Sequence, residues 1–332
     1  MNDFSQRILD WYAENARDLP WRRTQDPYAV WLSEIILQQT RIAQGTAYWH
    51  RFMERFPTVQ DLAEASEDEV LRLWEGLGYY SRARNLHAAA RQIVARGAFP
   101  DTLEGIRSLK GVGDSTAAAI GSICFGIPAA VVDGNVYRVL ARHFGISTPV
   151  GTTEAKKEFT LLADKLLPEK EASAFNQGMM DFGALQCTPQ HPDCLSCPLQ
   201  TSCDAFRTGR THLLPLKKTA AKPREQRLSY VYVRLDGETA IRRRGPGDIW
   251  HGLYEPLVPD PERLREASPV LLKAGVKHQL THRTILADFY LWEPSSRPEL
   301  PEGYKWIKEA ELDNYAKPRL FELLLETIQA FP

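Results

Sequence analysis

With 332 residues the chain is too long for one ordinary hydrophobic core, so two domains are expected. Apolar content of 43% and charged content of 25% are those of a globular protein, and the net charge of -1 excludes a general affinity for nucleic acid, leaving only local patches. No apolar run approaches the roughly 20 residues of a membrane helix, and the N-terminal MNDFSQRILDWYAENARD is acidic and amphipathic where a signal peptide is basic and then apolar, so a cytoplasmic protein is expected.

Residues 1 to about 205 read as helices almost throughout. YAVWLSEIILQQTRIA and RVLARHFGI carry apolar residues at intervals of three and four. Ser66 with Glu69, and Asp101 with Glu104, have capping-box spacing, and Ser81 precedes a run of good helix formers. Glu34 shares a helical face with Trp31, Ile35 and Gln38; a carboxyl in that apolar company is partly desolvated, which favours its protonated form near neutral pH. Gln38 and Gln39 read as amides inside an apolar helix, where packing gives little reason for them and a ligand does.

LKGVGDSTAAAI, residues 109–120, sets two glycines two apart before an alanine-rich helix. Glycine lets the backbone approach a ligand closely, and a helix start offers unpaired N–H groups and partial positive charge, a combination that suits an anion. A nucleotide-binding loop needs G-x-x-x-x-G-K-[ST], which is missing here; a DNA phosphate, or a plain helix-to-helix turn, remains. Asp133, in AAVVDGNVYRVLARHFG, follows an apolar run and precedes a helix, the place of an N-cap; a carboxylate that accepts N–H bonds there stays negative. One carboxyl that holds a proton and one kept anionic form the pairing that breaks a glycosidic bond through an oxocarbenium-like transition state.

Of five cysteines, four stand as C-x6-C-x2-C-x5-C at Cys187, Cys194, Cys197 and Cys203. In a reducing compartment that crowding points to metal ligation, by a tetrahedral zinc or a [4Fe-4S] cluster, which spacing alone does not separate. Cys124, alone in GSICFG, reads as a core thiol. From Ala205 to Arg224 there are six basic residues, two prolines and no acidic residue, the texture of a solvated tether or one that crosses a phosphate-rich surface. After it LSYVYVRL and ILADFYLW read as strands, GPGD as a turn and KPRLFELLLETIQAF as an amphipathic helix, giving a second, α/β domain.

The cysteine spacing, with FNQGMMDFGALQC ahead of it, resembles the iron-sulfur loop of the endonuclease III and MutY group of DNA glycosylases, and LKGVG followed by STAAAI resembles that group's helix-hairpin-helix, with Lys110 replacing the usual proline. LPWR at 19–22, SEIILQQT at 33–40 and GLGYYSRARNL at 76–86 are similar to signature segments of the MutY adenine DNA glycosylases. The resemblance implies a multidomain protein: an all-α helix-hairpin-helix glycosylase domain over 1–204, with its hairpin at 109–122 and a [4Fe-4S] loop at 187–203, a basic linker over 205–224, and an α/β MutT-like (Nudix-fold) domain over 225–332. It makes Glu34 the acid that protonates adenine N7 and later activates water, and Asp133 the residue that stabilises the sugar cation through a transient covalent adduct. Ser115 stands where relatives that also cut the strand carry a Schiff-base lysine, so chemistry is expected to stop at the abasic site. By the same resemblance Gln39 inserts into the duplex, Tyr79 wedges beside the opposing base, and Arg82, Gly111 and Gly113 contact DNA. Arg17, Leu19, Trp21, Arg22 and Gln177 line the adenine pocket.

RRRGPGDIWHGLYEPL resembles the glycine-Leu-Trp-Glu segment of the MutT-like domain, with Tyr254 for Trp, and HQLTH at 278–282 matches its F-S-H loop with Leu280 and Thr281 substituted. Thr281 keeps a hydroxyl and His282 is retained, so both are expected to recognise 8-oxoguanine. PERLREASPV lacks the dense carboxylate helix a pyrophosphatase uses to hold magnesium, so the domain is expected to bind and not to hydrolyse. The whole implies a monomeric, cytoplasmic, nucleoid-associated adenine glycosylase of base excision repair that acts on double-stranded DNA with adenine opposite 8-oxoguanine or guanine. Its rivals are an endonuclease III-like glycosylase and lyase, a mismatch thymine glycosylase, and a non-catalytic DNA-binding module with a structural metal.

Overall fold

A computed structural model describes residues 2–219 and 222–331. The chain forms two compact units, one made of Met1–Ala63 with Ala88–Thr219 and the other of Glu64–His87 with Ala220–Pro332. Residues 64–87 therefore pack with the C-terminal part of the chain, a grouping that linear reading from a single linker does not give.

The first unit is helical. Several of its helices begin on side-chain caps: Asn2 accepts the Ser5 N–H ahead of Asp3–Asn15, Asp26 that of Tyr28 ahead of Pro27–Leu37, and Thr152 that of Ala155 ahead of Thr153–Leu166. At Leu103–Arg107 the cap is Thr102, whose hydroxyl accepts from the Gly105 N–H at 3.1 Å; the expected Asp101 box is shifted by one residue. Asp114–Phe125 and Gly134–Phe144 end on Gly126 and Gly145 at φ 65° and 68°, the left-handed stop that glycine adopts without cost. The core joins Ile8, Val136, Leu140, Phe159, Met179 and Phe182 from four helices, each such side chain contributing about 1.5–3 kcal/mol by burial.

Pro27–Leu37 is apolar around its circumference, with Tyr28 to Ser33, Ile35 and Ile36 all buried. Glu34 is the one charged residue on it. The expected tether after residue 204 is corrected over 205–219: Leu214 is buried in the core, the Arg142 Nε donates to its carbonyl at 3.0 Å, and Val150 pairs with Leu216 and Lys218 through backbone bonds of 2.8 and 3.1 Å. Arg207 and Arg210 are both spent on Asp204. Ala220 and Ala221 lie outside the described residues.

The second unit holds two three-stranded sheets. In one, β1 (Arg224–Val233) runs parallel to β5 (Arg283–Trp292), which pairs antiparallel with β4 (Val270–Gln279); in the other, β2 (Glu238–Arg243) lies between β3 (Tyr254–Pro256) and β6 (Tyr304–Lys308). The helix Arg319–Gln329 buries Leu320, Phe321, Leu324 and Ile328 on one face, as its amphipathic pattern demands. Residues 64–87 join this unit by polar contacts: Arg243 donates to Glu67 at 2.9 Å, the Tyr254 hydroxyl to Asp68 at 3.2 Å, and the Lys317 N–H to Glu75 at 3.0 Å. Among the described residues no helix is long and apolar enough to cross a membrane.

Candidate active site

A cavity of about 1010 Å³ opens in the helical unit. Glu34 reaches it from the buried helix Pro27–Leu37, and Asp133 from the start of Gly134–Phe144. Arg17, Leu19, Trp21, Arg22 and Gln177 line it, as do Gln39, Gly111, Gly113 and Ser115. Segments up to 160 residues apart thus meet at one place.

Glu34 and Asp133 differ in surroundings. Burial pushes the Glu34 carboxyl up from its ordinary 4.5 to about 7, the negative charge of Asp133 adds to the rise, and Arg22 opposes it. Asp133 is a helix cap: one oxygen accepts from the N–H groups of Asn135 at 2.9 Å and Val136 at 2.8 Å, the other from the Asn135 side chain at 3.0 Å. Glu34 thus holds its proton up to about neutral pH, while the oxygens of Asp133 are occupied by donors from the start of its own helix.

Arg17 and Arg22 are held by a residue that motif reading missed. Asp181 is fully buried and accepts from the Arg17 backbone N–H at 3.1 Å, from the Arg17 Nε at 2.8 Å and Nη2, and from the two Arg22 Nη atoms at 2.7 and 2.8 Å. Burial alone raises such a carboxyl, yet the hydrogen bonds and charges of Arg22 and Arg17 bring Asp181 below the usual range. A signal was present in the sequence: Asp181 is the lone charge in FNQGMMDFGALQC, as Glu34 is in its helix. Gln177 lies one turn away, its amide donating to the Ser173 hydroxyl at 3.1 Å.

In the hairpin, Gly111 sits at φ 79°, where a glycine is needed. Gly113 does not need to be glycine for the protein's own sake: its φ is -94°, and a Cβ there would meet no atom within 4 Å. Gly113 caps Asp114–Phe125 with no side-chain hydrogen bond, so the first N–H groups of that helix carry no side-chain cap, and Ser115 lies inside the first turn. Asp114 pairs with Arg107 at 3.0 Å and with Lys156 at 2.6 Å; Lys156, also on the cavity wall, is a further residue that sequence reading passed over. Gln38 and Gln39 lie past the end of Pro27–Leu37 and not inside a helix. Gln39 is exposed at φ 57° and Gln38 donates to Thr116 at 3.3 Å.

Tyr79, Arg82, Thr281 and His282 belong to the other unit. Tyr79 is exposed at φ 46°, and its hydroxyl lies 2.7 Å from that of Thr281. His282 is exposed, and its carbonyl accepts from the Arg224 N–H at 3.0 Å. Arg82 departs from the surface contact expected of it: it is buried, its guanidinium sits over the rings of Trp74 and Tyr79 at 5.0 and 5.6 Å, and it donates to the carbonyls of Leu77 and Gly78. It holds the glycine turn that presents Tyr79.

Cys187, Cys194, Cys197 and Cys203 are half-buried on one loop, and the last three thiols each sense the charge of Cys187. Burial pushes Cys197 up to about 12, and N–H groups of Leu199, and of Phe206 and Ala205, point at the sulfurs of Cys197 and Cys203. Arg142 donates to the Cys187 sulfur at 3.3 Å and to the carbonyls of Thr188 and Pro189 at 2.7 and 3.0 Å. Arg138 bonds the Cys187 carbonyl at 2.8 Å and the Asn135 side chain at 2.7 Å, so the loop is tied to the neighbour of Asp133. Among the described residues no three His, Cys, Asp or Glu side chains stand as a single-ion site. Cys124, expected in the core, is half-buried, its thiol pushed up to about 12 by burial.

Residues 32–165 match the HhH-GPD superfamily of base excision DNA repair proteins, and residues 229–327 a NUDIX domain. The chain is similar to the adenine DNA glycosylase of Buchnera aphidicola subsp. Acyrthosiphon pisum, 37% identical over 76% of this chain and 73% of that one. The chain belongs to the adenine DNA glycosylase family. It is also 45% identical to the Homo sapiens adenine DNA glycosylase over 61% of this chain and 39% of the human one. Among solved structures, a thermostable thymine-DNA glycosylase shares its fold at a TM-score of 0.58 and 32% identity, covering 62% of this chain and 95% of that one. This glycosylase is thus a glycosidase-type hydrolase of base excision repair. Its repair-family match holds Glu34, the hairpin and Asp133, while Arg17, Arg22 and Asp181 lie outside those limits; the fold brings the two arginines to the cavity wall and Asp181 behind them.

Proposed function

We propose that this glycosylase removes adenine opposite 8-oxoguanine, or opposite guanine, from double-stranded DNA in the cytoplasm, as a monomer, and stops at the abasic site. The observation that carries the reading is the meeting of Glu34, poised near neutral pH, with the donor-saturated Asp133 in one cavity large enough for a flipped nucleotide. Glu34 gives its proton to N7. The bond from C1′ to N9 breaks, and its electron pair passes into the purine. The Asp133 carboxylate faces the sugar cation and bonds to it transiently; a water then attacks C1′, the C1′–O bond to Asp133 breaks and gives back the carboxylate, and the water's proton passes to Glu34. Arg17, Leu19, Trp21, Arg22 and Gln177 enclose the base.

The open space beside Gly113 and the uncapped helix start behind it suit a DNA phosphate, which positions the duplex without reading it. Gln39 and Tyr79, two non-glycine residues held at positive φ, are the side chains placed into the stack. A Ser115 hydroxyl forms no imine, and Lys156, the amine on the cavity wall, is held as an ammonium by Asp114, so neither cuts the strand. Thr281 and His282 read the opposing 8-oxoguanine from the C-terminal unit.

Cys187, Cys194, Cys197 and Cys203 would hold a [4Fe-4S] cluster. Four soft donors on one loop, with N–H groups and Arg142 aimed at the sulfurs, fit a group that takes thiolates. When bound there, the cluster would cross-link the loop, and Arg138 ties that loop to Asn135. An absorption band near 400 nm supports it, and its absence with stoichiometric zinc refutes it.

The test is a single-turnover assay on a duplex carrying adenine opposite 8-oxoguanine, with and without alkali. Free adenine with strand breaks only after alkali is expected. Breaks without alkali favour a lyase, and release of thymine from a G·T duplex in place of adenine favours a thymine glycosylase, like the thermostable enzyme that shares this fold.

A further inference from the structure

We infer that Asp181 is a positioning residue for bond cleavage: by holding the Arg22 guanidinium, it keeps that cation from pairing with Glu34 and so leaves Glu34 its proton. The inference rests on the proposed adenine excision and names a residue that excision needs but that never touches the base.

The side chain of Asp181 is fully buried and is surrounded by donors from Arg17 and Arg22. Both arginines line the cavity that Glu34 enters. The charged or titratable groups facing Glu34 are Asp133 from the start of Gly134–Phe144, Arg22 from the turn Pro20–Arg22, and, more weakly, Cys124 from Asp114–Phe125; Tyr12 stands beside Arg22 with its ring 5.8 Å away. Of the cations that line the cavity, Arg22 is the one whose charge acts on Glu34, and a guanidinium fork matches a carboxylate with two parallel hydrogen bonds. Left alone, it would pair with Glu34 and take away the acid. Asp181 occupies the fork first: both of its oxygens accept from Arg22, at 2.7 and 2.8 Å, while Arg17 closes the other side. The buried pair needs a carboxylate, since an amide in its place gives Arg22 one acceptor and no counter-charge.

Single-turnover rate constants for adenine release between pH 5.5 and 9 test this on the full-length protein and on Asp181→Asn and Arg22→Gln. The wild-type rate falls as pH rises through about 7. In Asp181→Asn the fall begins about one pH unit lower, giving about a tenfold loss at pH 8 and near wild-type rates at pH 5.5. A loss equal at every pH marks Asp181 as merely structural and overturns the inference. Rate constants report the folded fraction only; where Asp181→Asn does not fold, Arg22→Gln decides, because loss of the cation moves the fall to higher pH and an unmoved fall overturns the inference. Asp181→Glu, which keeps the charge, retains the wild-type profile. Wild-type protein that releases no adenine at all defeats the proposed function instead.

Discussion

The hydroxyls of Tyr79 and Thr281 lie 2.7 Å apart although 202 residues separate them. The bond joins the proposed wedge to the proposed reader of 8-oxoguanine, inside one compact unit. Tyr79 is kept in a left-handed conformation by the turn that Arg82 braces from below. Two exposed hydroxyls in water gain little from each other, about 0.5–1.5 kcal/mol at most.

Its value is therefore expected in recognition and not in folding. Tyr79→Phe and Thr281→Ala should each lower adenine excision opposite 8-oxoguanine by roughly three- to tenfold, and a double-mutant cycle should show the two losses to be non-additive. Thr281→Ser, which restores the hydroxyl, should recover most of the rate. Equal losses opposite 8-oxoguanine and opposite a plain guanine would remove 8-oxoguanine recognition from this pair.

Glu34 sets a second expectation, in which activity and stability move in opposite directions. Glu34→Gln should cost at least roughly a hundredfold in the single-turnover rate. Because the folded-state value of about 7 exceeds the ordinary 4.5, the folded protein binds a proton that the unfolded chain releases in between. Its stabilising contribution is whole below about pH 4.5 and is lost as pH rises through 7. Glu34→Gln should then melt higher than wild type by roughly 2–4 °C at pH 8, with the gain gone near pH 5. Calorimetry across that range decides it.

Asp133 combines a cap and a charge, and the amide separates them. Asn caps helices about as well as Asp, so Asp133→Asn should change stability by less than about 1 kcal/mol. The same change removes the anion that faces the sugar cation and should slow excision at least roughly a hundredfold. A variant that loses stability and rate together would mean that the cap, and not the charge, is what the site needs.

Ser115 lies in the first turn of the hairpin helix, on the cavity wall. Ser115→Lys places an unpaired amine there. It should add strand cleavage without alkali, and borohydride should trap a covalent protein–DNA adduct that wild type does not give. Failure to trap that adduct while adenine is still released would place the sugar beyond reach of residue 115.

Much of this protein is written locally. Helices, their caps, the glycine hairpin and the four-cysteine loop depend on residues within a few positions of one another, and so do the two carboxyls, since a lone Glu on an apolar helix and an Asp in DGN turn chemistry show their character in sequence. Tertiary structure decided what depends on distance across the chain. Thr102 and not Asp101 took a cap because one residue of register is settled by packing, and residues 205–219 folded onto the core because Leu214 had a place to be buried. Residues 64–87 joined the C-terminal unit through ion pairs and hydrogen bonds that no periodicity records. Asp181 is the sharpest case: its charge is visible in FNQGMMDFGALQC, but its partners, Arg17 and Arg22, lie some 160 residues away, and only the fold brings those charges together beside Glu34. Local propensity has a range of one turn; the energetics of a buried charge are set by whatever the fold packs around it.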